Sequence, residues 1–233
     1  KLLIERYHIK EIAFYDDNFT IHKPHTLELC RKMLEERLDI TWSCFSKVTF
    51  VDKEMLQLMK KAGCHQILYG VESGSPMILK NIKKHISLDR AEKIVKLTQK
   101  HQIDVRAAFM LGNPGETEET LQQTLDFAVK LNPDIAVFNI TTPFPGTAMF
   151  EWAQKNGYLL TTNWEEYDLS KPVMKLPTVP NDMIMKYYFL SYRRFYFRFS
   201  YIICQLCLLR NWRLLFVHAK AAMKLLSYMI TRR

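Results

Sequence analysis

Gln66-Ile67-Leu68-Tyr69-Gly70-Val71-Glu72-Ser73-Gly74-Ser75 is the stretch on which the fold of this chain turns. The run Gln66–Gly70 reads as a short buried strand. It leads within two residues to a carboxylate, two hydroxyls and a glycine. A carboxylate set directly behind an apolar strand is itself partly buried, so Glu72 needs partners. Ribose hydroxyls or an amino group would serve, and so would a structural ion pair with Lys47 or Arg106. Ser73 and Ser75 have an equally plain reading as caps of the helix that follows.

The same unit recurs on both sides. Ile12–Tyr15 is a short apolar run that ends in Asp16-Asp17-Asn18. A helical pattern of Leu27, Leu29, Cys30, Met33, Leu34 and Leu38 follows, then a strand over Thr41–Phe45. Asp52 is placed to cap a helix bearing Met55, Leu56, Leu58 and Met59, and Gly63 suits its end. Downstream come a helix over Leu88–His101, a strand over Asp104–Leu111, a helix over Glu116–Lys130 and a strand over Ile135–Ile140. A helix over Ala148–Asn156 stops at Gly157. Strands alternating with helices predict a parallel sheet with right-handed crossovers. The continuous apolar runs predict a sheet covered on both faces. Period alone fits an open sheet or a barrel.

The polar clusters all fall at strand carboxyl ends, where parallel α/β folds bind ligands. They are Asp16-Asp17-Asn18, Ser43 to Lys47, Glu72 to Ser75, Gly112-Asn113-Pro114-Gly115-Glu116, and Thr141 to Thr147. Together they describe one site for a sizeable polar ligand. Gly112 to Glu116 is a tight turn entering a helix, expected to present free backbone N–H groups. It lacks the Lys-Ser/Thr ending of a nucleotide P-loop and the spacing of a dinucleotide fingerprint.

The 233 residues suffice for one large domain or two small ones. About half are hydrophobic and a quarter charged, which excludes disordered and collagen-like classes. Five scattered cysteines do not form a secreted disulfide framework. Cys204 and Cys207 make a C-x2-C on an apolar helical stretch with no second pair, which reads as packing. The histidine spacings give no zinc motif. The longest apolar run, Tyr201–Leu209, is too short for a membrane span. The net charge of +9 is concentrated at one end. Met183 to Arg233 hold ten of the 33 Lys and Arg residues, 12 of the 29 aromatics and no acidic residue. Pro172, Pro177 and Pro180 mark a linker over 171–182 between a domain at 1–170 and a basic aromatic helical tail at 183–233. That tail is expected to pack as a helix on the domain, with contact to an anionic membrane surface as the next reading.

Five pieces in order carry a family resemblance. They are Phe14-Tyr15-Asp16-Asp17-Asn18-Phe19, Met59-Lys60-Lys61-Ala62-Gly63-Cys64, Gly70-Val71-Glu72-Ser73-Gly74-Ser75, Met110 to Thr117, and Thr142-Pro143-Phe144-Pro145-Gly146-Thr147. In this order the chain resembles radical S-adenosylmethionine (SAM) enzymes of the cobalamin-binding branch, which includes the anaerobic magnesium-protoporphyrin ester cyclases. The resemblance implies a partial (β/α)6 barrel, of which this chain holds strands two to six, followed by the helical basic tail. It implies that Asp16, Asp17 and Asn18 lie near the methionine amino group, and Glu72 and Ser73 near the methionine and ribose. It also implies that Gly112, Gly115 and Glu116 shape the adenine side, while Ile140 to Thr142 (Ile140 and Thr142 foremost) give backbone contacts to adenine. Lys47 stands where relatives often carry Arg.

The family's C-x3-C-x2-C, which holds a [4Fe–4S] cluster, is expected ahead of Lys1, as is any cobalamin domain. The chain by itself is therefore expected to be an inactive fragment of an enzyme that cleaves SAM reductively to modify an organic substrate. Alternatives are a fragment of a radical tRNA methylthiotransferase and a non-catalytic barrel serving as a binding module. The implied partners are a small-molecule or lipid-like substrate and a reductant such as a flavodoxin or ferredoxin, without nucleic acid. The implied location is the cytoplasm, with the inner membrane surface as an option.

Overall fold

The computed structural model describes the backbone of residues 1–208 and side chains as far as Ile203. A short helix, α1 (Leu2–Tyr7), precedes the repeating part. That part runs β1 (Glu11–Phe14), α2 (Lys23–Glu35), β2 (Thr41–Ser46), α3 (Lys53–Lys61), β3 (Cys64–Glu72), α4 (Pro76–Asn81), α5 (Leu88–Lys100), β4 (Asp104–Leu111), α6 (Glu118–Leu131) and β5 (Ile135–Ile140). Three helices follow: α7 (Ala148–Lys155), α8 (Asn181–Tyr196) and α9 (Phe199–Leu208). Every strand pairing is parallel, and the sheet order is the chain order, β1-β2-β3-β4-β5. Right-handed crossovers that never reverse direction put the crossover helices on one face of the sheet. That is the wall of a partial (β/α) barrel rather than a doubly wound sheet.

One helical layer also corrects the expectation of a sheet covered on both faces. Burial alternates along the strands. Trp42, Cys44, Ile67, Tyr69, Val71, Val105, Ala107, Phe109, Ala136 and Phe138 are buried towards the helices. Ser43, Phe45, Leu68, Gly70, Ala108, Met110, Val137 and Asn139 alternate with them and are only half-buried. The runs read as continuous because small or apolar residues occupy the open face as well.

The local signals behave as physics requires. Asp52 caps α3 by accepting from the Met55 amide at 3.0 Å. Gly63 ends that unit at φ +93°, with a Cβ at this position falling 2.3 Å from the Ile40 carbonyl oxygen. The helix α4 escapes a periodicity reading because six residues span fewer than two turns; its signals are Pro76 in the first turn and the cap position, which Ser75 occupies without a side-chain capping bond.

The segment 171–180 contains no helix, but it is tied down. Leu159 bridges Met174, and Val173, Met174, Leu176 and Val179 are buried. The helix α8 packs on α6 and along β5, burying Ile184, Tyr187, Ser191 and Phe195. The packed-helix reading of the basic tail therefore holds over α8. Arg194 pairs with Asp126 at 2.8 Å. Arg198 lies over the Phe195 ring and donates to the carbonyls of Phe195 and Val129 and to Asn132 Oδ1.

The outer edge of β5 is sealed by side chains. Tyr192 Oη accepts from the Phe138 amide (3.2 Å) and donates to the Phe138 carbonyl (3.0 Å). One helical turn on, Tyr196 does the same for Ala136, at 3.1 and 2.7 Å. Tyr201 donates to the Asp134 carbonyl, and the Ile140 amide donates to the Leu169 carbonyl. An edge strand's unpaired backbone groups are thereby satisfied. Tyr192→Phe leaves one N–H and one C=O of Phe138 without that partner, and is expected to cost about 1–2 kcal/mol in urea unfolding.

Candidate functional site

Parallel strands in register bring their carboxyl ends to one rim. Phe14 stands beside Cys44, Ser46 beside Tyr69, Glu72 beside Phe109, and Leu111 beside Ile140. The five polar clusters therefore lie side by side.

Glu72 is the focal residue. The β3–β4 register slips between Gly70 and Glu72, and Glu72 adopts φ +70°, a conformation uncommon for a residue with a Cβ. The turn swings its carboxylate back over Gly70. A Cβ on Gly70 would lie 2.4 Å from Glu72 Oε1 and 3.1 Å from Lys84 Nζ. Lys84, on the loop after α4, donates to Glu72 Oε1 at 2.8 Å. Both side chains are largely enclosed, at 18% and 17% exposure. Gly70 alternates with buried Tyr69 and Val71, so this ion pair sits at the rim on the open face of the sheet. The partner is neither Lys47 nor Arg106. Lys47 instead places its ammonium 5.9 Å from the Phe50 ring centre, and Arg106 is exposed lower on β4.

Ser73 turns the other way. Its hydroxyl, fully buried, meets Thr124 Oγ1 of α6 at 2.9 Å and accepts from the Ser75 amide at 3.0 Å. Thr124 also accepts from the Gly74 amide. Ser73 thus holds the turn that carries Glu72 and does not face the open side.

The Gly112–Glu116 turn is braced from within. Gly112 and Gly115 have φ of +87° and +84°. The buried Glu116 accepts from the amides of Gly112 (3.2 Å) and Asn113 (3.1 Å), from Asn113 Nδ2 (3.4 Å) and from Thr120 Oγ1 (2.7 Å). The amides expected to be free for a ligand are used by this carboxylate, because a buried charge without such donors would be costly. Asn113 Oδ1 in turn accepts from Thr141 Oγ1 at 3.0 Å, locking the β4 and β5 loops together. Thr142 is buried and donates to the Ile140 carbonyl at 3.1 Å. The sequence places Asn113 and Thr141 in the rim clusters but does not join them or point to Thr120, since a brace depends on which way each side chain points.

Burial raises the pKa of Glu116, and its four donors only partly offset this. A carboxyl whose folded pKa is raised contributes most to stability below its unfolded pKa, and that contribution is lost as pH rises through the folded value. Wild type is therefore expected to lose stability relative to Glu116→Gln between pH 4 and pH 7. Urea unfolding of both proteins at each pH reads this directly. A gap that does not move with pH would refute the assignment.

Asp16 and Asp17 are exposed on the first loop. Asn18 Oδ1 is buried and meets no donor. The loop is pinned to β2 by the Phe19 amide on the Phe45 carbonyl and by a hydroxyl contact between Thr20 and Ser46. An unmet buried acceptor on this rim suits an incoming N–H or ammonium group.

Cys30, Cys44 and Cys64 are buried, and burial pushes the Cys30 thiol up to about 11. No group of three metal-ligating side chains is assembled among the described residues. Cys204 and Cys207 fall beyond the described side chains.

Comparison with known proteins agrees with this geometry. Residues 1–128 match the family model described as the radical SAM superfamily. An uncharacterized methyltransferase of Pyrococcus horikoshii is 39% identical over 197 residues, covering 84% of this chain and 43% of that protein. The anaerobic magnesium-protoporphyrin IX monomethyl ester cyclase of Rubrivivax gelatinosus is 24% identical over 204 residues, covering 87% of this chain and 36% of that protein. Among solved structures, the radical SAM methyltransferase TsrM of Kitasatospora setae, with cobalamin and a [4Fe–4S] cluster bound, superposes with a TM-score of 0.61. It is 22% identical, and the match covers 69% of this chain and 31% of that one. The chain thus spans less than half the length of these relatives. A family match over more than half of the chain, together with a parallel barrel wall whose polar loops share one rim, shows that the chain belongs to the radical SAM superfamily.

Proposed function

We propose that this chain is the SAM-binding wall of a radical SAM enzyme that transfers a methyl group to, or cyclises, a small organic substrate. The observation that carries the reading is the Glu72–Lys84 pair folded over Gly70 on the open face. The methionine end of SAM is a zwitterion. If the pair opens, Glu72 takes the ammonium or the ribose hydroxyls and Lys84 takes the carboxylate. One enclosed ion pair is exchanged for two, so no charge is stranded. Asn18 Oδ1, with Asp16 and Asp17 beside it in sequence, offers further acceptors for the ammonium. The braced Gly112–Glu116 turn and the Ile140–Thr142 segment form a rigid flank suited to the flat adenine ring. Their internal hydrogen bonds favour a shaping role over direct side-chain contact.

In this reading, SAM and a [4Fe–4S] cluster together supply the radical that starts the chemistry. The cluster's thiolates come from outside the described residues. Cobalamin, a reductant of the flavodoxin or ferredoxin type and the substrate belong to the whole protein. Names of relatives favour methyl transfer or ring closure over other radical reactions.

The test is anaerobic reconstitution of the full-length protein with iron and sulfide, followed by reduction in the presence of SAM. Formation of 5′-deoxyadenosine or S-adenosylhomocysteine is expected. A reconstituted, folded protein that neither binds nor consumes SAM would remove the enzyme reading and leave a binding module.

A further inference from the structure

The helix α8 runs antiparallel to β5. Its first turn lies over the strand carboxyl ends, with Ile184 Cδ1 3.2 Å from where a Gly112 Cβ would stand. It then descends past Phe138 at Tyr192 and Ala136 at Tyr196, and Tyr201 of α9 reaches Asp134 at the start of β5. The corner between α8 and α9 is therefore at the end of the barrel opposite the rim site.

That corner is both apolar and basic. Phe197, Phe199, Ile202 and Ile203 are 47%, 78%, 41% and 43% exposed, four large apolar side chains within seven residues. Arg193 is exposed one turn before them. No acidic residue follows Asp182 in the sequence, while Arg210, Arg213, Lys220, Lys224, Arg232 and Arg233 continue the positive run. Of the acids on neighbouring elements, Asp126 is paired with Arg194 and Asp134 accepts from the Val105 amide and Gln99 Nε2, while Asp104 at the start of β4 is exposed. None of the described helices is long and apolar enough to cross a membrane.

We propose that this end of the barrel docks on an anionic lipid surface. Phe197, Phe199, Ile202 and Ile203 enter the interface and Arg193 meets the headgroups. Exposed apolar groups on a segment that carries cations and no acids match that surface in both hydrophobicity and charge. A neutral protein patch would match only the first. The orientation leaves the rim site facing water, open to its ligands.

Vesicle co-sedimentation of the full-length protein tests this, comparing phosphatidylcholine vesicles with and without about 30% phosphatidylglycerol. Partitioning is expected to be roughly tenfold or more stronger on the anionic vesicles and to weaken between 50 and 500 mM NaCl. The double variant Phe199→Glu, Ile203→Glu is expected to lose most of it with an unchanged urea midpoint. Arg193→Glu, a change at an exposed position, is expected to weaken it several-fold and guards against a folding defect in the first variant. Equal binding to both vesicle types, or variants that bind as wild type does, would overturn the proposal. So would absence of binding, and concentration-dependent self-association abolished by the same variants would then assign the corner to a second copy of the chain.

Discussion

Gly74→Ala is expected to destabilise the protein by about 3 kcal/mol or more, read as a fall in the urea midpoint with little change in slope. A Cβ at Gly74 would lie 2.5 Å from the Gln123 carbonyl oxygen, 2.5 Å from Phe127 Cβ and 2.8 Å from Thr124 Cα. All three atoms belong to α6, and two are backbone, so no rotamer change relieves the contact. The methyl group must push the β3 exit away from α6. That movement breaks the Gly74 and Ser73 contacts with Thr124. Trimming the neighbour is not expected to rescue it, because Phe127→Ala keeps the clashing Cβ. The same displacement shifts Glu72, so affinity for SAM falls with stability. A loss below 1 kcal/mol would show that the turn is not seated against α6 as described.

Glu72→Gln and Lys84→Met are each expected to weaken SAM binding by about 10- to 100-fold. This is the range for losing a hydrogen bond to a charged group in an enclosed site. The two sites are in contact, so the double variant is expected to lose less than the sum of the single losses. Calorimetric titration with SAM gives the affinities, and urea unfolding separates a binding defect from a folding one. Lys84→Met is the more informative variant, since it leaves Glu72 without its described partner in an enclosed position. Affinities within twofold of wild type would place the methionine end of the ligand elsewhere on the rim.

Much of this architecture is legible in the sequence. Alternating strands and helices dictate the parallel sheet, and the loops collect at one rim because parallel strands end together. Glu72 stands out as a carboxylate immediately behind a buried run. Its partner does not. Lys84 reaches it only because α4, six residues long and invisible to periodicity, folds the loop back over β3. Direction is the other loss. Ser73 and Glu116 are adjacent to ligand-competent residues in sequence, yet their side chains bond to α6 and to the loop itself. Sequence spacing orders residues along the chain but does not say which side of a turn each one takes. The tyrosines of α8 show the same limit. In the sequence they are simply part of an aromatic, basic helical tail, and only the position of β5 reveals hydroxyls spent on a strand edge.

That edge gives the sheet a stop. With Phe138 and Ala136 already bonded on both N–H and C=O, a further strand has no ladder to join at β5. The opposite boundary, β1, pairs only with β2 among the described strands. Growth of this sheet is thus one-way. Any strand added to it, from the same polypeptide, a partner or an aggregate, is directed to β1, and its register is set by Glu11–Phe14.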